Sequence, residues 1–194
     1  MKVWVRIGGR AAAMILTTAL FGVWLAEVGP NSAAAEKSEK GHMQLTSTAF
    51  NEGGAIPAPY TCDGRNVSPP LKWTETPPAA KALVLIVDDP DAPVGAWVHW
   101  VLYDLPATAS ELPEEVQKSQ YVADGAAQGL NDFRHLGYGG PCPPGGKAHR
   151  YFFKLYALDQ PLGLKPGLTR KEIERAMDKH ILAQAQLMGT YKRK

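Results

Sequence analysis

The sequence predicts a mainly β protein, a β-sandwich with short peripheral helices. Three observations predict it. Several short runs are rich in β-branched and aromatic residues: ALVLIV (Ala82 to Val87), AWVHWVLYDL (Ala96 to Leu105) and HRYFFKLYAL (His149 to Leu158). Sixteen prolines and nineteen glycines cluster between those runs, in GGAIPAPYTCDG, VSPPL, ETPPAA and YGGPCPPGG, and break the chain into short elements. Only one stretch carries a full helix signature.

Taken in order, residues 1–35 read as an export signal. Lys2, Arg6 and Arg10 form a basic start, Ala11 to Ala26 is apolar and uncharged, and Ser32-Ala33-Ala34-Ala35 offers a small-residue cleavage site before Glu36. The competing reading is an uncleaved anchor, against which Glu27 interrupts a stretch already short for a full span. An exported, periplasmic or extracellular protein is therefore expected, with residues 36–42 a flexible leader and 43–194 the folded domain. Without residues 1–35 the chain loses three of its 21 basic residues and one of its 19 acidic residues, which leaves 18 of each. The mature domain is neutral, which argues against a polyanion-binding surface and against nucleic acid as a partner.

From Met43, MQLTSTAF alternates as a half-buried strand does, with Leu45, Ser47 and Ala49 on one face. ALVLIV is continuously apolar, as in a strand covered on both faces. A short helical turn is expected between Ser110 and Lys118. The convincing helix starts at Thr169-Arg170-Lys171-Glu172, a capping box, and places Ile173, Ala176, Met177 and His180 on one face. After it ILAQAQLMGTY alternates Ala183, Ala185 and Leu187 against Gln184 and Gln186, the period of a strand.

Chemistry concentrates where ALVLIV runs into DDPDAP. Three carboxylates, Asp88, Asp89 and Asp91, end a buried strand, a costly arrangement unless each finds a partner. Pro90 and Pro93 stiffen the backbone there. One reading is a turn in which aspartates bond to backbone N–H groups. The other is a small polar pocket, because His99 lies in WVHW and His149 opens the HRYFF strand beside a Gly/Pro loop. Strand alternation places His99 with Val101 and opposite Trp100. It also turns Arg150 away from His149 and Tyr151, so Arg150 and Asp91 are expected to form a structural ion pair under the pocket. Trp97 and Trp100 read as core or rim packing. Asn131-Asp132-Phe133 reads as a pocket mouth or a solvated turn, His135 as surface, and His180 as a cation near a helix end. Cys62 and Cys142 stand 80 positions apart and can bridge in an exported protein, or remain a pair of small residues near a site.

AIPAPYTCDGRNVSPPLKW, DDPDAPVGAWVHWVLYDLP and GYGGPCPPGGKAHRYFFKLYALD, in that order, resemble the phosphatidylethanolamine-binding protein family, in particular its bacterial Raf-kinase-inhibitor-like branch. The resemblance runs from about Leu45 to Tyr191. It implies a Greek-key sandwich with an anion pocket at one end, lined by Asp89, His99, Gly140, Pro141, His149 and Tyr151. In that reading His99 and His149 donate to the anion, the backbone near Gly140 approaches it closely, and Asp89 holds a histidine tautomer. Tyr151 walls the pocket and offers its hydroxyl. The resemblance also brings Cys62 and Cys142 to the pocket rim, as a disulfide bracing the site. Animal members carry a longer segment with a further tyrosine where VGA stands here, and they end in a helix where this chain reads as a strand. Their kinase binding is not carried over.

The function this implies is a non-catalytic binding or inhibitor-type module for a small anion or phosphorylated headgroup, with no cofactor and no metal. A protein partner and a second copy of the chain are the further partners expected. The alternative is a hydrolase or metal-dependent enzyme using Asp89, His99 and His149, against which stand the lack of HExxH and of a Gly-x-Ser-x-Gly elbow. A third reading makes the histidines structural in a scaffold.

Overall fold

The structure, a computed structural model, describes residues 42–193. The expected export signal at 1–35 lies outside the described residues. Eight strands and one α-helix follow in the order β1 (Gln44–Thr46), β2 (Leu71–Thr74), β3 (Ala82–Asp89), β4 (Trp97–Pro106), β5 (Glu111–Leu112), β6 (Ala127–Gln128), β7 (His149–Leu158), α1 (Arg170–Met177) and β8 (Ile181–Tyr191). They build two antiparallel sheets, a three-stranded one in the order β1-β2-β5 and a five-stranded one in the order β6-β4-β3-β7-β8.

β3 is central, and every residue in it is buried. Its alternate side chains enter two cores. Leu83, Leu85 and Val87 pack between the sheets with Trp73, Trp100, Phe153 and Leu187, while Val84 and Ile86 pack under α1 with Val101, Tyr103, Ile173 and Met177. That explains the unbroken apolar run, since neither face of the strand meets water. The strand runs two residues further than its apolar portion, so Asp88 and Asp89 lie inside it, 1% and 3% exposed. At the start of α1, Glu172 Oε2 accepts from the Thr169 N–H at 2.8 Å, closing the capping box.

Two expectations fail. The segment 110–118 forms no helix turn: Glu111 and Leu112 pair with β2 as β5, and Pro113 follows at once. The capped helix ends at Met177, so His180 lies beyond it, and its Nδ1 donates to Asp159 Oδ1 at 2.9 Å.

Candidate functional site

Strand alternation misplaces His99. The β3–β4 register slips between Val87↔Trp100 and Asp88↔Val98, which leaves His99 as the extra residue of a bulge. Val98 and Val101 both pack under α1. His99 instead turns to the inter-sheet side, its ring edge-on to Tyr151 at 5.1 Å between centroids. The bulge therefore aims His99 at the end of β7, where the imidazole of His149 lies.

Asp89, His99 and His149 come together along one pocket of about 220 Å³, walled by Trp97, Phe133, the Pro143-Pro144 pair and Cys142. Asp89 is committed on both oxygens. Oδ1 accepts the Asp91 N–H at 2.8 Å, and Oδ2 lies 2.7 Å from His149 Nδ1. Asp89 thus fastens the turn and orients a histidine. His99 Nδ1 lies 2.6 Å from the carbonyl oxygen of Gly139, which can only accept, so that nitrogen carries the proton. In both rings Nε2 is left as the atom without a protein partner among the described residues. Burial, ahead of all else, holds His99 below its ordinary pKa, partly offset by the Gly139 carbonyl and by Asp89 and Asp132. Neutral His99 consequently presents a bare lone pair.

Gly140, Pro141 and Tyr151 do not line this pocket. The Gly140 N–H donates to Asn66 Oδ1 at 2.6 Å and is not free for an anion. The glycine is required by its other neighbour: a Cβ there would sit 2.4 Å from the carbonyl oxygen of Tyr60. Pro141 uses its carbonyl to accept the Cys62 N–H at 3.0 Å. Tyr151 lies beneath the histidines, 1% exposed, with a hydroxyl that makes no well-formed hydrogen bond although Asp89 is near. Burial first, then the Asp89 charge, push that phenol well above its ordinary range. Trp97 Nε1, on another residue of the pocket wall, is likewise buried without a partner.

The sequence reading left Phe133 undecided, and it misses the part Asn66 plays. The Phe133 ring stacks edge-on against Trp97 and His99, 5.4 and 5.3 Å between centroids, and is seated where any Cβ on Gly139 would strike it at 2.6 Å. Asn131 and Asp132 fix the loop that carries it: Asn131 Nδ2 donates to the Gly137 carbonyl at 2.8 Å, and Asp132 Oδ2 accepts the Val98 N–H at 2.7 Å. Cys62 and Cys142 form a disulfide with Cα atoms 5.3 Å apart, placing Cys142 on the pocket wall. Arg150 grips Asp91 with two nitrogens, at 2.9 and 2.7 Å, on the exposed side of β7. The guanidinium holds the Asp91 carboxyl down at about 2.

Comparison with known proteins names the architecture. The family described as Phosphatidylethanolamine-binding protein matches residues 46–192. This chain belongs to that family. A UPF0098 protein of Methanothermobacter thermautotrophicus is 51% identical over 151 residues, which span 78% of this chain and 99% of that one. A UPF0098 protein of Chlamydia trachomatis is 47% identical, over 78% of this chain and 99% of its own. Among solved structures, the phosphatidylethanolamine-binding protein homolog CT736 of Chlamydia trachomatis superposes with a TM-score of 0.73 at 46% identity, covering 79% of this chain and 99% of that one. YbcL of E. coli, described as a new member of the mammalian family, gives a TM-score of 0.75 at 32% identity, covering 79% and 100%.

Proposed function

We propose that this member of the phosphatidylethanolamine-binding protein family is an exported, non-catalytic binding module whose pocket takes a small oxyanion, phosphate or the phosphate of a phospholipid headgroup. One observation carries the reading. Two buried imidazoles each commit Nδ1 to a fixed acceptor, so both Nε2 atoms are left to a single pocket small enough for one tetrahedral anion. The lining offers no serine, threonine or free thiol, and its cysteine is tied in the disulfide, which favours binding over covalent catalysis. Among the described residues no group of three or more His, Cys, Asp or Glu is spaced to hold a metal ion. The basic-then-apolar segment at 1–35 and the disulfide support export.

A bare Nε2 accepts; an anion needs a donor. A fully deprotonated oxyanion therefore binds together with a proton taken up by His99, whereas a protonated phosphate brings its own. The test is an NMR titration of the protein with phosphate and with O-phosphoethanolamine, in EDTA, repeated on His149→Ala. Saturable shifts at Asp89 and His99 that vanish in the variant are expected. An absence of shifts in the wild type sinks the reading.

A further inference from the structure

A second cavity, of about 350 Å³, shares a wall with the histidine pocket. Phe133 and Cys142 line both, so an aromatic ring and the disulfide are common to the two spaces.

The floor of this cavity carries polar residues and is apolar in effect, because each polar group there is spent within the protein. The Tyr138 hydroxyl donates to the Tyr60 carbonyl at 2.8 Å. Asn131 uses both ends of its amide: Nδ2 donates to the Gly137 carbonyl at 2.8 Å, and Oδ1 accepts the His135 N–H at 3.1 Å. The Gly139 N–H donates to the His99 carbonyl at 2.8 Å, and the Gly140 N–H to Asn66 Oδ1 at 2.6 Å. What remains to line the space is the rings of Phe133 and Tyr138 and the disulfide.

The donors left over gather at Lys118 and Asn66. Lys118 Nζ donates to the Asn66 carbonyl at 3.0 Å, which fixes the ammonium at the cavity with two of its three protons uncommitted among the described residues. No Asp or Glu lines the cavity. Partial burial lowers the Lys118 pKa, and no neighbouring carboxylate offsets it. Asn66 adopts a left-handed backbone, φ 57°, which asparagine tolerates. Its Oδ1 is taken by Gly140, so Nδ2 is the end of the amide left without a partner among the described residues.

We infer that this cavity is a second binding site, for a small carboxylate with an apolar body. The head lies on Lys118 and Asn66, and the body lies against Phe133, Tyr138 and the disulfide. A carboxylate brings two acceptors and one charge to a site that offers two donor groups and one unpaired ammonium. A bare oxyanion would leave the rings uncovered, and a neutral apolar molecule would leave the ammonium unpaired. At about 350 Å³ the cavity is at the small end for ligand sites, with room for one ring and a short chain. The site does not depend on what fills the histidine pocket.

An NMR titration of the protein with 3-phenylpropionate tests this. Acetate serves as the head alone and 3-phenylpropionamide as the uncharged body, and all three are repeated on Lys118→Met and Lys118→Arg. The expected result is saturable shifts at Lys118, Asn66 and Tyr138, with 3-phenylpropionate bound at least about tenfold tighter than either partial probe. Lys118→Met should lose about tenfold in that affinity, and Lys118→Arg should keep most of it. Whatever shifts phosphate produces at Asp89 and His99 should be the same in all three proteins, since Lys118 does not line that pocket. No shifts in the wild type, equal affinity for the amide or for acetate, or a Lys118→Met protein that binds as the wild type does overturns the proposal. Shifts centred on Asp89 and His99 overturn it too, because the carboxylate then occupies the histidine pocket.

Discussion

Asp88 and Asp89 are neighbours in one strand, equally buried, and they have opposite fates. Asp88 points toward α1, where Oδ2 accepts from Lys154 Nζ at 2.8 Å and Arg170 Nη1 at 2.6 Å. Asp89 points to the other side and meets His149, beside open space. The first carboxylate is matched by two permanent cations, whose side chains remain about a quarter exposed. The second is matched by a titratable ring with a nitrogen to spare. A buried charge held by fixed cations reads as structure, and one held by a group that can change its charge reads as a candidate site.

The disulfide separates these two sides most strongly, since it braces only the Asp89 side. It closes a loop of 80 residues, for which the chain-entropy model gives about 4 kcal/mol. Thermal unfolding with and without reductant should show a loss of that order. Amide exchange in the folded, reduced protein should rise around Cys62 and Gly140 and stay unchanged around Lys154 and Arg170.

Next comes the neighbouring pair of substitutions. Asp88→Asn should cost roughly 2–3 kcal/mol, less than the loss of a fully buried pair because Lys154 and Arg170 can turn to water. Phosphate affinity should not change. Asp89→Asn should do the reverse, weakening phosphate about tenfold, or about 1.4 kcal/mol, by leaving His149 without the carboxylate that orients it. Urea unfolding and titration calorimetry on both proteins decide; the same phosphate affinity in both variants would remove the distinction.

pH sharpens it further. His99 titrates below its ordinary 6.5 in the fold, so the stability due to its neutral form is present above 6.5 and declines as pH falls below it. Ligand affinity runs the other way. Sulfate stays unprotonated in this range, so it must draw its proton into the pocket, and its affinity should drop by up to about tenfold per pH unit above that point. Sulfate titrations at several pH values check the slope, and a flat profile removes the proton from the binding step.

The smallest effect belongs to Asp91. Its folded value of about 2 lies below the ordinary 3.8, so the contribution of the Arg150 pair is intact above 3.8 and lost as pH falls through 2. The Arg150 side of that pair is exposed, so Arg150→Gln should lower the thermal unfolding midpoint only slightly at neutral pH, with no change in phosphate binding.

How much of this was legible in the sequence divides along a physical line. Local patterns were readable: HRYFFKLYAL and ILAQAQLMGTY coincide with β7 and β8 to the residue, and the capping box starts α1. Arg150 alternates away from His149 as period two requires. What could not be read is whatever depends on two strands at once. The bulge at His99 exists only as a mismatch between β3 and β4, so strand period alone put the ring on the wrong face. The Asn66 side chain reaches Gly140 across 74 positions, and nothing near either residue announces it. Phe133 enters the wall because Gly139 leaves room for its ring, a complementarity visible only once both are placed.

The disulfide has a mechanical consequence. Asp89 and His99 lie inside the loop it closes, and His149 lies outside it. Pulled from its two ends, the oxidised chain can release neither β3 nor β4, and about 280 Å of contour length stays hidden behind the bond. Only the strands outside the loop, β7 and β8 among them, can be drawn away. Tension would thus part the pocket along the Asp89–His149 contact and leave the Asp89–His99 half standing. The tether sets the line along which the site comes apart.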